Sequence, residues 1–151
     1  MRLLHTSDIR LDACHRLSGA DAAYGARRRK SRLDVFLALI DRARTWPADA
    51  LLIAGDLFHT DRLARGTFDV LRDALASLAP MGVCIAAGRN DAATPDSPYR
   101  VEPWPANVTL FLEPGWSTWL SPHAPLAIHG FGWNTPDLDV NPLASWPAPV
   151  S

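Results

Sequence analysis

Three apolar runs in this chain each stop at a short polar turn whose side chains could hold a metal ion or an anion. The first run ends at Asp8, the second at Gly55-Asp56, the third at Gly88-Arg89-Asn90-Asp91. Carboxylates are ligands for hard divalent cations, and two that converge form the start of such a site. Gly55 and Gly88 permit tight turns and close backbone approach. A single aspartate after a strand is also an ordinary turn former or helix cap. The same polarity at three run ends favours one shared site over three separate caps.

The elements that must position these turns follow from hydrophobic periodicity. Arg2–His5 is a strand candidate, followed by an irregular stretch over residues 9–30. Leu33, Phe36, Leu37, Ile40 and Ala43 recur at helical spacing, Ser31-x-x-Asp34 resembles a capping box, and Pro47 closes the helix. Ala50–Ala54 is a continuous apolar run, as expected of a strand buried on both faces. Phe68, Leu71, Leu75 and Leu78 mark a second helix ended by Pro80 and Gly82, and Val83–Ala87 is a third strand. This β-α-β-α-β alternation over residues 1–91 predicts an α/β fold with a parallel sheet. Ligands of such sheets bind beyond the carboxyl ends of the strands, where the three turns lie. Residues 92–151 change character: short strands at Val108–Leu112, Trp116–Leu120 and Leu126–His129, then a proline-rich tail. The 151 residues suit one domain.

The segments Leu3-Leu4-His5-Thr6-Ser7-Asp8, Asp49 to His59 (DALLIAGDLFH) and Ala87-Gly88-Arg89-Asn90-Asp91 resemble the calcineurin-like metallophosphoesterases, most closely the SbcD-type DNA repair exonucleases. Asn107-Val108-Thr109-Leu110-Phe111 and Ala127 to Trp133 (AIHGFGW) extend the resemblance over almost the whole chain. It implies the N-terminal half of that family's layered β-sandwich flanked by helices. It also implies a pair of Mn²⁺-type ions about 3.5–4 Å apart that activate water against a phosphodiester. By position, Asp56 is the bridging ligand and Asp8 a ligand of the first metal.

The chain departs from the family pattern where the metals should sit. The family's Asp-x-His reads Asp8-Ile9-Arg10, and its Gly-Asn-His-Asp/Glu reads Gly88-Arg89-Asn90-Asp91. Arg10 and Arg89 thus replace two metal ligands. Asn90 stands at the catalytic histidine position and Asp91 beside it is the second catalytic candidate; an asparagine cannot supply a proton at neutral pH. The family's two later histidine ligand segments lie beyond residue 151. A guanidinium about 4 Å from a divalent ion costs on the order of 8 kcal/mol at an effective dielectric of about 20. A weak or absent metal pair and lost or impaired hydrolysis are therefore expected. Three arrangements of the arginines are open: both pair with Asp8 and Asp56 in place of metals, one stays free so that the pocket can hold a phosphate without cutting it, or both point to water.

Arg27-Arg28-Arg29-Lys30, placed by this reading just before a helix, is a candidate contact for a DNA backbone, or simply a solvated face. His59 follows the second turn and reads as a solvated loop residue; His5 and His129 read as structural, and His15 and His123 as loop residues. Trp104, Trp116, Trp119, Trp133 and Trp146 suit packing better than base stacking. Cys14 and Cys84 match no metal or redox spacing, and Cys84 reads as a core residue. The net charge of −1 argues neither for nor against nucleic acid, because local patches matter more than the total. No run is long enough to span a membrane, and residues 1–10 lack a signal's apolar core, so a cytoplasmic location is expected. Expected partners are DNA, an SbcC-like ATPase, or a second copy through exposed apolar surface. The alternative to an impaired exonuclease is a non-catalytic phosphate-binding, DNA-binding or partner-docking module.

Overall fold

A computed structural model describes residues 1–13, 22–59 and 63–146. Four strands form one sheet in the order β1-β2-β3-β4, every neighbouring pair parallel: β1 Leu3–Thr6, β2 Ala50–Ala54, β3 Gly82–Ala86 and β4 Val108–Phe111. Two helices, α1 Ala22–Thr45 and α2 Arg65–Ala76, connect the first three strands. A short helix, α3 Pro98–Val101, precedes β4. The strands β5 Ser117–Leu120 and β6 Ala127–Gly130 form a separate antiparallel pair. The chain is thus mixed α/β, as the alternation predicts, and the parallel sheet continues past residue 91 to include β4. Among the described residues, no helix is long and apolar enough to cross a membrane.

The core explains the periodicities. Leu51, Ile53, Val83 and Ile85 are fully buried in the central strands, against Phe36, Ile40 and Ala43 of α1 and Phe68, Leu71 and Leu75 of α2. Trp104 packs among Phe58, Phe68 and Tyr99, with ring centroids 6.4, 5.3 and 5.7 Å away. Trp116 meets Phe131 and Trp146, the last largely exposed.

One sequence expectation fails here. Helix α1 begins at Ala22, so Ser31 lies mid-helix and caps nothing, and Arg27–Lys30 lie inside the helix rather than before it. The reason is composition: alanine, arginine and lysine are strong helix formers, and no proline interrupts them. Lys30 donates to Asp34 one turn on, at 2.7 Å, which accounts for the apparent capping acid.

The two sheets meet through glycines that seat aromatic rings. A Cβ on Gly82 would lie 2.2 Å from the Trp119 ring, and one on Gly130 would lie 2.0 Å from the ring of buried Phe111. Phe111 belongs to β4 and has little room to retreat. Gly130→Ala should therefore lower unfolding free energy by about 2 kcal/mol through overpacking, read as a lowered denaturant midpoint.

Candidate functional site

The first two turns are joined by main-chain bonds that continue the β1–β2 pairing beyond the strands. The amides of Asp8, Arg10 and Leu11 donate to the carbonyls of Gly55, Asp56 and Leu57 at 3.2, 2.9 and 3.0 Å. Gly55, at φ 78°, adopts a left-handed conformation that suits glycine. The third turn then passes close by: a Cβ on Gly88 would lie 2.8 Å from the Asp56 amide nitrogen. Only a glycine lets the two turns touch here.

Asp91 locks this contact. Its Oδ1 accepts from the amides of Gly88 and Asp56 at 2.7 and 3.1 Å. Its Oδ2 accepts from the amides of Leu57 and Phe58 at 2.7 and 3.3 Å, and from the Tyr99 hydroxyl at 2.6 Å. Burial pushes the Asp91 carboxyl above the ordinary carboxylate range, opposed by the Tyr99 hydroxyl and the amides of Gly88, Phe58 and Asp56. Burial, then the Asp91 charge, raises Tyr99 well above the usual phenol range, so it remains a donor. Grouped with Asn90 as catalytic on sequence grounds, Asp91 instead faces inward and positions the other turns. Tyr99 is the residue the sequence reading missed; nothing in its spacing marks it.

On the outer side of the Asp56 turn lies a cluster of opposite charges. The Arg10 guanidinium donates through one nitrogen to Asp56 Oδ2 at 2.8 Å and to Asp8 Oδ1 at 3.0 Å. The Asp56 side chain is 11% exposed and that of Asp8 62%, so the Asp56 contact is the desolvated one. Asn90 adds its amide at 3.3 Å to Asp56 Oδ1 and its carboxamide nitrogen at 2.5 Å to Oδ2. Arg32 of α1 bonds the carbonyl of Ala13 and fastens the loop that carries Arg10.

The cluster is held in costly backbone. Among the described residues, the non-glycine positions with positive φ are Asp8 at 55°, Arg10 at 50° and Asp56 at 53°. Aspartate tolerates that region through local hydrogen bonds, whereas an arginine there carries about 1–2 kcal/mol of strain. Arg10 Nε is also buried with no hydrogen-bond partner. Three non-glycine residues with positive φ in one ionic contact mark this as a built feature.

Arg89 behaves differently from Arg10. Its side chain is 69% exposed and, among the described residues, its ionic partner is Asp137 at 3.6 Å, not Asp8 or Asp56. The expectation that both arginines pair with the two carboxylates thus holds for Arg10 and fails for Arg89. Along the turn, Asn90 is the residue that faces the cluster, and Arg89, one position earlier, points outward.

The remaining candidates lie apart from this centre. Arg27, Arg28, Arg29 and Lys30 are exposed on α1. His59 is exposed, and its amide donates to Asp12 at 2.6 Å. His5, read as structural, is exposed; His129 is half-buried and pairs with Thr118 at 2.8 Å. His15 and Cys14 fall outside the described residues. Cys84 is buried, and burial pushes its thiol up to about 12. Because the thiolate is the reactive form, Cys84 should resist iodoacetamide at pH 8 in the native chain and react on unfolding, as read by peptide mass mapping.

Among the described residues, no three His, Cys, Asp or Glu side chains converge. The two carboxylates that do converge already share a guanidinium at contact distance. Compared with known proteins, the chain matches no family model, and no curated protein matches it significantly.

Proposed function

We propose that this chain is a metallophosphoesterase-type domain of the DNA-repair-exonuclease kind in which Arg10 has taken the place of the metals and hydrolysis is lost. The observation that carries the reading is Arg10 bridging Asp8 and Asp56 at the carboxyl end of the parallel sheet. These are the positions where the resemblance puts a bridging and a terminal metal ligand. The fixed +1 charge pairs with both anions and leaves the cluster one negative charge in excess, and Asn90 completes Asp56 without a titratable proton. The four-stranded sheet with a smaller antiparallel pair is compatible with half of that family's sandwich. A chromogenic aryl phosphodiester with Mn²⁺ tests the loss: turnover indistinguishable from buffer supports it, and saturable, chelator-sensitive turnover contradicts it.

A non-catalytic nucleic-acid-binding role is favoured by a separate observation. Arg89 stands exposed beside the cluster, and Arg27 and Arg28 project from α1. Cations of this kind engage phosphates, and their contribution falls with salt. Binding of single-stranded DNA that weakens steeply from low to physiological salt, without cleavage, supports this role. A docking role toward an SbcC-like ATPase or a second copy would instead appear as a complex in light scattering.

A further inference from the structure

A cavity of about 360 Å³ opens beside Asn90, walled by Phe58, His59, Asn90, Thr94, Ser97 and Pro136. Ligand pockets start at roughly 300 Å³, so this space suits one ring system and not an extended ligand. Ser97 supplies the clue to its use. It is 2% exposed, and its hydroxyl has no hydrogen-bond partner. It occupies the N-cap position of α3 yet makes no capping bond, so the fold gives that hydroxyl no task. A buried hydroxyl without a partner is costly, and most such groups in folded proteins are satisfied.

Chemistry narrows the occupant. The walls carry no lysine or arginine, and Asp91 contributes to them, so a phosphate or carboxylate is disfavoured. Pro136 and the exposed His59 imidazole offer flat surfaces, backed by the fully buried Phe58. Thr94 and Ser97 offer hydroxyls that donate or accept, and the oxygen of the Asn90 carboxamide accepts while its nitrogen serves Asp56. Flat walls with a few neutral donors and acceptors match an uncharged heteroaromatic ring. Pro136 also walls the neighbouring depression, where Arg89 lies 3.6 Å from Asp137, beside Asp139 and Trp133. A phosphate attached to a ring in the cavity would leave toward that guanidinium and displace the exposed Asp137 carboxylate from it.

We infer that this cavity receives a nucleobase, from an unpaired DNA end or a free nucleoside; where the source is DNA, the phosphate attached to that base is directed to Arg89. The inference rests on the nucleic-acid-binding reading and names which part of the nucleic acid the site takes. The test uses amide chemical-shift mapping of the full chain with each of the four deoxynucleosides and with short oligothymidylate. Nucleosides should shift the amides around Thr94 and Ser97 saturably. Ser97→Ala should weaken them about fivefold, as for one lost hydrogen bond, with an unchanged or raised Tm, because no internal bond is lost. Thr94→Val provides the same readout if Ser97→Ala fails to fold. Oligothymidylate that moves the same amides and is weakened by Arg89→Ala identifies DNA as the source; nucleosides binding while the oligonucleotide does not identifies the free form. Oligonucleotide shifts confined to α1 would overturn the base pocket while leaving DNA binding intact. Absence of nucleoside shifts, or a Ser97→Ala chain with lower Tm and unaltered affinity, would also overturn it.

Discussion

Asp91→Ala should lower the unfolding free energy by about 4 kcal/mol, the largest single-residue loss expected outside the apolar core. Five donors converge on this carboxylate: the amides of Asp56, Leu57, Phe58 and Gly88, and the Tyr99 hydroxyl. Alanine leaves all five without their acceptor in a largely water-free place. Each unpaired buried donor costs about 1–3 kcal/mol, but the loop can relax and admit water, which keeps the total below the sum. Tyr99→Phe removes one of the five and should cost about 1–2 kcal/mol. Urea unfolding of both variants checks the ratio. Losses below about 1 kcal/mol for Asp91→Ala would show that the turns hold together without it.

Arg10→Ala should cost about 2–3 kcal/mol, and Arg10→Gly about 1 kcal/mol less. The cost comes from Asp56, because the Asp8 side of the bridge is exposed and solvent screens it. Asn90 still donates to Asp56 in the variant, so the loss stays below that of an isolated buried charge. The difference between the two variants comes from backbone. Alanine keeps the strain of φ 50°, and glycine relieves it at a smaller cost in unfolded-chain entropy. Equal losses for alanine and glycine would show that residue 10 does not hold this conformation in solution. A neutral Arg10→Ala would show that Asp56 does not depend on the guanidinium.

The parallel core was readable because its signals are strong and local. The apolar run Ala50–Ala54 forms β2 with those bounds, and Phe68, Leu71 and Leu75 are buried at their helical spacing. The start of α1 was not readable, since Ser31 and Asp34 imitate a cap while the arginines before them extend a helix equally well. At the site, convergence of Asp8, Asp56 and the 88–91 turn follows from strand order alone. The different fates of the two arginines do not. Arg10 is drawn to Asp56 by a main-chain bond that fixes where its side chain starts, and Arg89 sits where the turn faces outward. Asp91's inward role depends on Tyr99, eight residues on, a pairing that no periodicity announces.

The central claim, that a guanidinium stands where the family resemblance puts metal ions, is tested most directly by calorimetric titration of the chelator-treated chain with Mn²⁺. The Arg10 bridge predicts no saturable event tighter than millimolar, and no change in Tm at micromolar Mn²⁺. Two ions bound at micromolar concentration would contradict it, because Asp8 and Asp56 would then have to exchange Arg10 for metal.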